Sequence, residues 1–225
     1  PYEQARDVLE FYAEWSERLS DEMYVGPTTV TTPDGVRVLM MDVVYNGNPA
    51  SGEKELAPLR AIGTPIADGV VVQDYTILQT NNDAAFGHGI RSYAKNGMVK
   101  QWSQELVDAM VENDDPRIFI ANHVAGGAVK RVGELDTAFP HRNAEIMIVV
   151  VAGWMDAAQD ESLIAACRDH HKAIEPHLGG YYGNIDFDHT AAKGNYGPAY
   201  ERLSKIKGQY DPGNQFRLNS NIEPA

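Results

Sequence analysis

Residues 24–45 read YVGPTTVTTPDGVRVLMMDVVY, two runs rich in β-branched and apolar side chains on either side of Thr32-Pro33-Asp34-Gly35. Pro presets a turn φ and Gly accepts the positive φ that a tight reversal needs, so the stretch predicts a hairpin: Tyr24–Thr32 out, Val36–Tyr45 back. A strand that returns at once must pair antiparallel with its predecessor. Before the hairpin, Val8, Phe11, Tyr12, Trp15 and Leu19 recur at helical spacing and predict an amphipathic helix.

Downstream, Ser51 is expected to cap a short helix ending near Gly63, and Val70–Gln73 to form a short strand, with Asn81–Gly89 a polar loop. Ser103 is expected to cap a helix over 104–112 that places Leu106, Val107, Met110 and Val111 on one face. Strands are predicted at Ile118–Val124 and Glu145–Ala152. The second is almost wholly apolar, as a strand covered on both faces should be. Leu163, Cys167, His171 and Ile174 mark a helix over 160–175. Tyr181–Phe187 is predicted as a last strand and Tyr196–Lys207 as a last helix, before an Asp211-Pro212-Gly213-Asn214 turn and an extended tail. Hairpins combined with helices between groups of strands predict an α+β fold, a mainly antiparallel sheet with helices packed on one face.

Bulk properties narrow the function classes. The chain has 225 residues and a net charge of −13, so nucleic acid and anionic membranes are poor partners. The longest apolar run, Ile146–Gly153, is too short to span a bilayer. One cysteine, Cys167, excludes an internal disulfide and slightly favours a cytoplasmic, reducing compartment. No phosphate-cradling loop or nucleophile elbow is present, and Asp186, Asp188 and His189 make a weak metal set, read instead as a solvated strand end. The first residue is Pro1, which reads as a fragment or processed chain.

The C-terminal stretch, NYGPAYERLSKIKGQYDPGNQFRLNSNIEP over residues 195–224, is the informative one. Phe216, Leu218 and Ile222 must dock on something or remain wet. Asn219 and Asn221 each offer an amide donor and acceptor, suited to the edge of a heteroaromatic ring. The order Tyr200, Arg202, Leu203, Lys207, Tyr210, Asp211, Pro212, Asn214, Phe216, Arg217, Asn219, Asn221 and Ile222 resembles the C-terminal signature of berberine-bridge-enzyme-like FAD-linked oxidases. Phe139-Pro140-His141-Arg142, Trp154, Gly179–Asp188, Gly126-Gly127-Ala128 and Tyr75, Leu78 and Gln79 resemble further family segments, so the similarity spans most of the chain and is loose before Leu39.

The resemblance implies a substrate-binding domain at 1–194 and a segment at 195–225 that completes an FAD domain. The cofactor implied is FAD, held mainly by a missing N-terminal flavin-binding domain; the partner is a small-molecule substrate. The chemistry implied is oxidation of an alcohol or amine carbon by hydride transfer to flavin, with O2 as acceptor. The family pattern implies substrate-facing roles for Tyr75, Gln79, His123, His141 and Arg142, and catalytic roles for Tyr181 or Tyr182, of which Tyr181 is preferred. Asn184, Tyr196, Asn219 and Asn221 are placed near the flavin. The sequence departs from the pattern at Ala199, where Asn is usual, and at Ile148, Val149 and Val150, where plant members place Gln, Glu or Lys. The aromatic base of the Tyr-Val-Asn strand is also lost in either register, since Asn184 or Ile185 takes its place. The competing expectation is a non-enzymatic ligand-binding or interaction module derived from such a domain. An upstream flavin domain would discriminate for the oxidase.

Overall fold

A computed structural model describes residues 1–83, 87–112, 115–185, 187–188 and 192–225. The hairpin forms as its turn chemistry requires. β1 (Met23–Thr31) pairs antiparallel with β2 (Arg37–Tyr45) along its full length, closed by Gly35 at φ 87° and by the Gly35 amide donating to the Thr32 carbonyl at 2.8 Å. With β3 (Arg91–Val99), β4 (Phe119–Val124) and β5 (Ile146–Trp154) it builds a sheet of order β2-β1-β4-β5-β3, every neighbouring pair antiparallel. The fold is therefore α+β. The β1–β4 ladder covers Thr28 and Thr29 and stops at Pro27, which has no N–H to donate; the Asn122 amide donates to the Pro27 carbonyl at 2.6 Å instead.

The helices are α1 (Ala5–Trp15), α2 (Pro49–Ala61), α3 (Tyr75–Thr80), α4 (Gln104–Glu112), α5 (Asp160–Ile174), α6 (Ala192–Tyr196) and α7 (Tyr200–Tyr210). α1, α4 and α5 cover one face of the sheet. Tyr12, Trp15, Leu106, Met110, Leu163, Cys167 and Ile174 meet Val25, Ile120, Ile146, Ile148 and Val150 there. Burial of this apolar layer is the main force holding helices to sheet. The Tyr12 hydroxyl donates to the Val25 carbonyl at 2.7 Å, so the polar end of that ring is satisfied inside the core. Cys167 is fully buried against the Val150 and Tyr93 carbonyls, and burial pushes its thiol up to about 12. Ser103 caps α4 through the Leu106 amide at 3.2 Å. No helix among the described residues is long and apolar enough to cross a membrane.

Several sequence expectations need correction. α2 is capped by Asn48, whose side chain accepts from the Ala50 amide at 2.9 Å, with Pro49 at the first helical position; Ser51 lies inside the helix. Val70–Gln73 is no strand: it has no ladder partner among the described residues, and Val72 is 82% exposed. The described residues of Tyr181–Phe187 are no strand either. β3, hidden in the sequence by its Lys95-Asn96-Gly97 centre, is the fifth strand and pairs with β5 at the edge of the sheet.

The segment after α5 seals the outer edge of β3 by other means. Gly179 N–H donates to the Met98 carbonyl at 2.7 Å and Met98 N–H to the Gly180 carbonyl at 2.8 Å. The Asn96 side chain accepts from the Tyr182 amide at 2.7 Å and donates to the Tyr182 carbonyl at 2.9 Å, imitating a peptide group. A β-carbon on Gly97 would lie 2.1 Å from the Leu178 side chain, so a larger residue there would have to displace Leu178. Asp188 accepts from Lys95 at 3.2 Å and from Arg168 at 2.6 Å. The residues that break the strand pattern of β3 are the ones that fasten residues 178–188 to it.

Candidate functional site

Directly opposed residues of an antiparallel pair share a face, so the ladders define what stands on the second side of the sheet. Met147 and Val149 of β5 point there, with Ala94, Asn96 and Met98 of β3 and Ala121 and His123 of β4. Tyr24, Thr28, Met40 and Asp42 join them from the hairpin. Along part of this face Ala94, Met98, Met147 and Val149 are covered by Phe139, Tyr182 and Ile185. Toward β1 and β2 the face is open: His123 and Asp42 are exposed, and Met40 is 43% exposed.

The two tyrosines point in opposite directions although no strand carries them. Tyr182 lies on the second face, edge-on to Phe139 at 6.0 Å between centroids, and its hydroxyl accepts from the Asn184 amide at 2.9 Å. Tyr181 turns toward α5: its ring lies 6.1 Å from that of His171 and its hydroxyl donates to Glu175 at 3.1 Å.

His123 stands on β4 opposite Met147. Crowding by neighbouring protein atoms strips hydration from its ring and lowers its pKa, against a weaker upward pull from Asp42, so the ring is neutral at pH 7. His141 is buried beneath Phe139, its Nε2 3.0 Å from the Asn195 carbonyl, and burial lowers its pKa too. Arg142 braces its own loop, donating to Thr137 Oγ1 at 2.7 Å and to the Phe139 carbonyl at 3.2 Å, with its guanidinium 5.0 Å over the Phe139 ring. These two residues therefore shape the wall that carries Phe139 and Tyr182.

Tyr75 and Gln79 stand apart on α3, where Tyr75 is 72% exposed and Gln79 is exposed too. Asp188 is committed to Lys95 and Arg168, while Asp186 and His189 lie outside the described residues. No cluster of three metal-binding side chains occurs among the described residues. The sequence reading missed Tyr24, Thr28 and Asp42. Alternation along the hairpin groups all three with Met40 on one face, but does not say which face the helices cover.

The tail makes a second, different surface. Its backbone is fastened: Ser204 donates to the Glu223 carbonyl at 2.5 Å, Glu223 N–H donates to the Tyr200 hydroxyl at 3.2 Å, and Lys207 donates to the Phe216 carbonyl at 2.5 Å. Asp211 accepts from the Gln215 and Phe216 amides at 2.8 and 3.1 Å. Together with Lys207, first in effect, those amides hold its carboxyl down to about 2. Yet Tyr210, Phe216 and Leu218 are 85%, 82% and 86% exposed. Asn214 and Asn219 adopt positive φ of 49° and 61°, and the buried side-chain oxygens of Asn214 and Asn221 accept no hydrogen bond among the described residues. Tyr196 is half-buried at the end of α6. The segment is tightly tied yet leaves three large apolar side chains in water.

Comparison with known proteins gives that surface a context. Residues 180–223 match the family model described as "Berberine and berberine like". The chain is 24% identical over 231 residues to an FAD-linked oxidoreductase of Dictyostelium discoideum, covering 100% of this chain and 50% of that protein. It is 24% identical over 234 residues to (R)-6-hydroxynicotine oxidase of Paenarthrobacter nicotinovorans, covering 96% of this chain and 50% of that protein. The fold matches BBE-like #28 from Arabidopsis thaliana with a TM-score of 0.81 at 14% identity, covering 100% of this chain and 55% of that one. The chain thus spans about half the length of the curated relatives it matches.

Proposed function

We infer that this chain, which belongs with the berberine-bridge-enzyme-like FAD-linked oxidoreductases, supplies the substrate side of an active site whose flavin is held mainly by another part of the protein. The observation that carries the reading is the tail: a fixed backbone that presents Tyr210, Phe216 and Leu218 to water. Burying three such side chains would contribute several kcal/mol at about 25 cal/mol per Å2, which is what a docked flavin domain would gain. In this reading residues 1–194 form the substrate-binding domain and 195–225 complete the FAD domain.

The residues present suit a flavin edge without being able to cradle a whole dinucleotide. Asn214 and Asn221 hold spare acceptors, Asn219 is set in a left-handed turn, and Tyr196 and Asn184 lie at the margins of this surface. FAD, when bound, supplies a hydride acceptor for an alcohol or amine carbon, and O2 is the expected final oxidant. This chain positions the substrate on the second face of the sheet. Tyr182 presents its hydroxyl there as the proton acceptor or hydrogen-bond partner, its backbone locked by Asn96, while Asn184 orients the phenol. His123, neutral at pH 7, can take a proton or accept a hydrogen bond. His141 and Arg142 hold Phe139 against Tyr182, and Tyr75 and Gln79 reach the substrate only if α3 is folded over by the flavin domain. Tyr181, hydrogen-bonded to Glu175, supports the helix layer.

Two measurements test this. The chain alone is expected to purify colourless, and a visible flavin band on it would overturn the division of labour. In the full-length flavoprotein, Tyr182→Phe is expected to lower turnover by roughly 10²-fold or more, the scale for losing an acid–base group, whereas Tyr181→Phe mainly lowers the melting temperature. Equal turnover of both variants and the parent would move the base to the flavin domain.

A further inference from the structure

Resting on the reading of the second sheet face as the substrate face, one part of that face has chemistry of its own. Asp42 on β2 stands directly opposite Gly26 on β1. Continuing the Thr28–Ala121 pairing by two residues sets His123 of β4 on the far side of Gly26. Neighbouring strands lie about 4.8 Å apart, so Asp42 and His123 flank a gap one glycine wide. Tyr24 fills its floor: a β-carbon on Gly26 would lie 2.6 Å from the Tyr24 hydroxyl and 2.7 Å from the Asn122 carbonyl. Any larger residue at 26 would close the notch.

The donors in this notch are already committed and the acceptors are left over. The Tyr24 hydroxyl donates to the Asn122 carbonyl at 3.2 Å, leaving an oxygen lone pair outward. The buried Thr28 hydroxyl donates to Asp42 Oδ2 at 2.9 Å, orienting the carboxylate of an otherwise exposed residue and leaving Oδ1 outside that bond. Neutral His123 offers one more ring-nitrogen acceptor and adds no positive charge. None of the ion pairs among the described residues involves Asp42. Partial burial, aided by Asp42, raises the Tyr24 pKa and keeps the phenol protonated. Met40, on the same face beside Asp42, gives an apolar body somewhere to rest.

We propose that the Gly26 notch, walled by Asp42, Tyr24 and His123, binds the ammonium group of an amine-bearing ligand. An ammonium is donor-only and positively charged, so it matches acceptors held around one anion. A neutral hydroxyl of the same shape satisfies fewer of them and gains no charge attraction.

Calorimetric titration of the full-length flavoprotein with benzylamine and with benzyl alcohol, its neutral counterpart, tests the assignment. Benzylamine is expected to bind about fivefold more tightly or better, the scale of one partly solvated ion pair, and Asp42→Asn is expected to erase that preference. Gly26→Ala, which displaces the Tyr24 hydroxyl, is expected to weaken benzylamine more than benzyl alcohol. Matched melting temperatures confirm that the exposed Asp42→Asn change leaves the fold intact. Equal affinities in the parent, or a preference that survives Asp42→Asn, would overturn the notch. The flavin absorbance followed in the same titrations separates this from the underlying reading. A flavin that responds to ligand while Asp42→Asn changes nothing removes the notch and keeps the substrate face. An Asp42-dependent preference that never perturbs the flavin keeps the notch and removes the substrate face.

Discussion

Ile148 and Met147 are adjacent in β5 and both are buried, yet they belong to two differently built layers. Ile148 points into a layer closed by three helices of the same chain. Met147 points into a thinner layer closed by a loop, Tyr182 and Ile185, beyond which the sheet opens onto Asp42 and His123. The first layer is complete by its own contacts. The second combines a little packing with polar groups whose partners are elsewhere, and the tail continues that theme with Phe216 and Leu218 in water. Apolar packing is concentrated on one side of the sheet and exposed polar groups on the other, the division expected where a rigid scaffold carries an adaptable surface.

The contrast can be measured. Ile148→Ala should cost about 3–4 kcal/mol in denaturant unfolding, through lost transfer energy and a cavity that three helices cannot collapse into. Met147→Ala should cost about half as much, because its cover is a loop that can settle. Equal losses would mean the two layers are equally closed.

Next in size is an acid effect confined to the helix layer. His170 is 1% exposed, and neither ring nitrogen has a hydrogen-bond partner among the described residues. Burial first, then Arg37 and His171, hold its pKa down to about 4, while Asp115 pulls upward. The unfolded chain takes up this proton near pH 6.5 and the folded one does not, so stability is full above that value and falls as pH drops toward 4. The loss should be on the order of 2 kcal/mol, and His170→Phe should flatten it; an unchanged slope in that variant would assign the effect to other groups.

Asp188→Asn should cost about 1–2 kcal/mol at pH 7 by weakening three charge-assisted bonds, two from Arg168 and one from Lys95, that tie residues 187–188 to α5 and β3. Arg168 above all, with help from Tyr93 and Lys95, holds the Asp188 carboxyl well below the usual carboxylate range. Its contribution is therefore present above about pH 4 and lost only as pH falls further, in a window below that of His170. The melting-temperature gap between parent and variant should be full at neutral pH and start to narrow only below about pH 4. The smallest effect belongs to the tail: Phe216→Ser with Leu218→Ser should change the stability of this chain by less than about 0.5 kcal/mol, as exposed positions do. A loss above about 1 kcal/mol would show that these side chains already pack on their own domain.

Much of the helix layer could be foreseen because its signals are local. A Pro-Asp-Gly turn, a Ser cap and 3.6-residue apolar spacing each act within a few residues, and α1, α4, α5 and the hairpin follow from them. β3 could not be foreseen, because Lys95, Asn96 and Gly97 are poor strand formers chosen for what residues 178–188 need. The same long-range debt misassigned Tyr181–Phe187, whose apolar and aromatic content looks like a strand but serves to cover one. On the functional side, His123 and the pair Tyr181-Tyr182 were visible as residue types, but which tyrosine turns outward depends on Asn96, 86 residues from Tyr182. Asp42 and Tyr24 were invisible for another reason: nothing in a hairpin sequence says which of its faces the helices will choose.

The two margins of the sheet are finished unequally. Along β3 the outward groups at Ala94, Asn96 and Met98 are taken by Phe187, His171, Gly179 and Gly180. β2 ends the order on the other side with no strand beyond it among the described residues, and its sequence there is Val-Leu-Met-Met-Asp-Val-Val over 38–44. An apolar rim with no strand paired beyond it is a template for strand addition by another molecule. Self-association of this protein at high concentration should therefore begin at β2, with the charge on Asp42 as the chief guard against it. Neutralising that side chain would then carry a solubility cost separate from anything it does to a ligand.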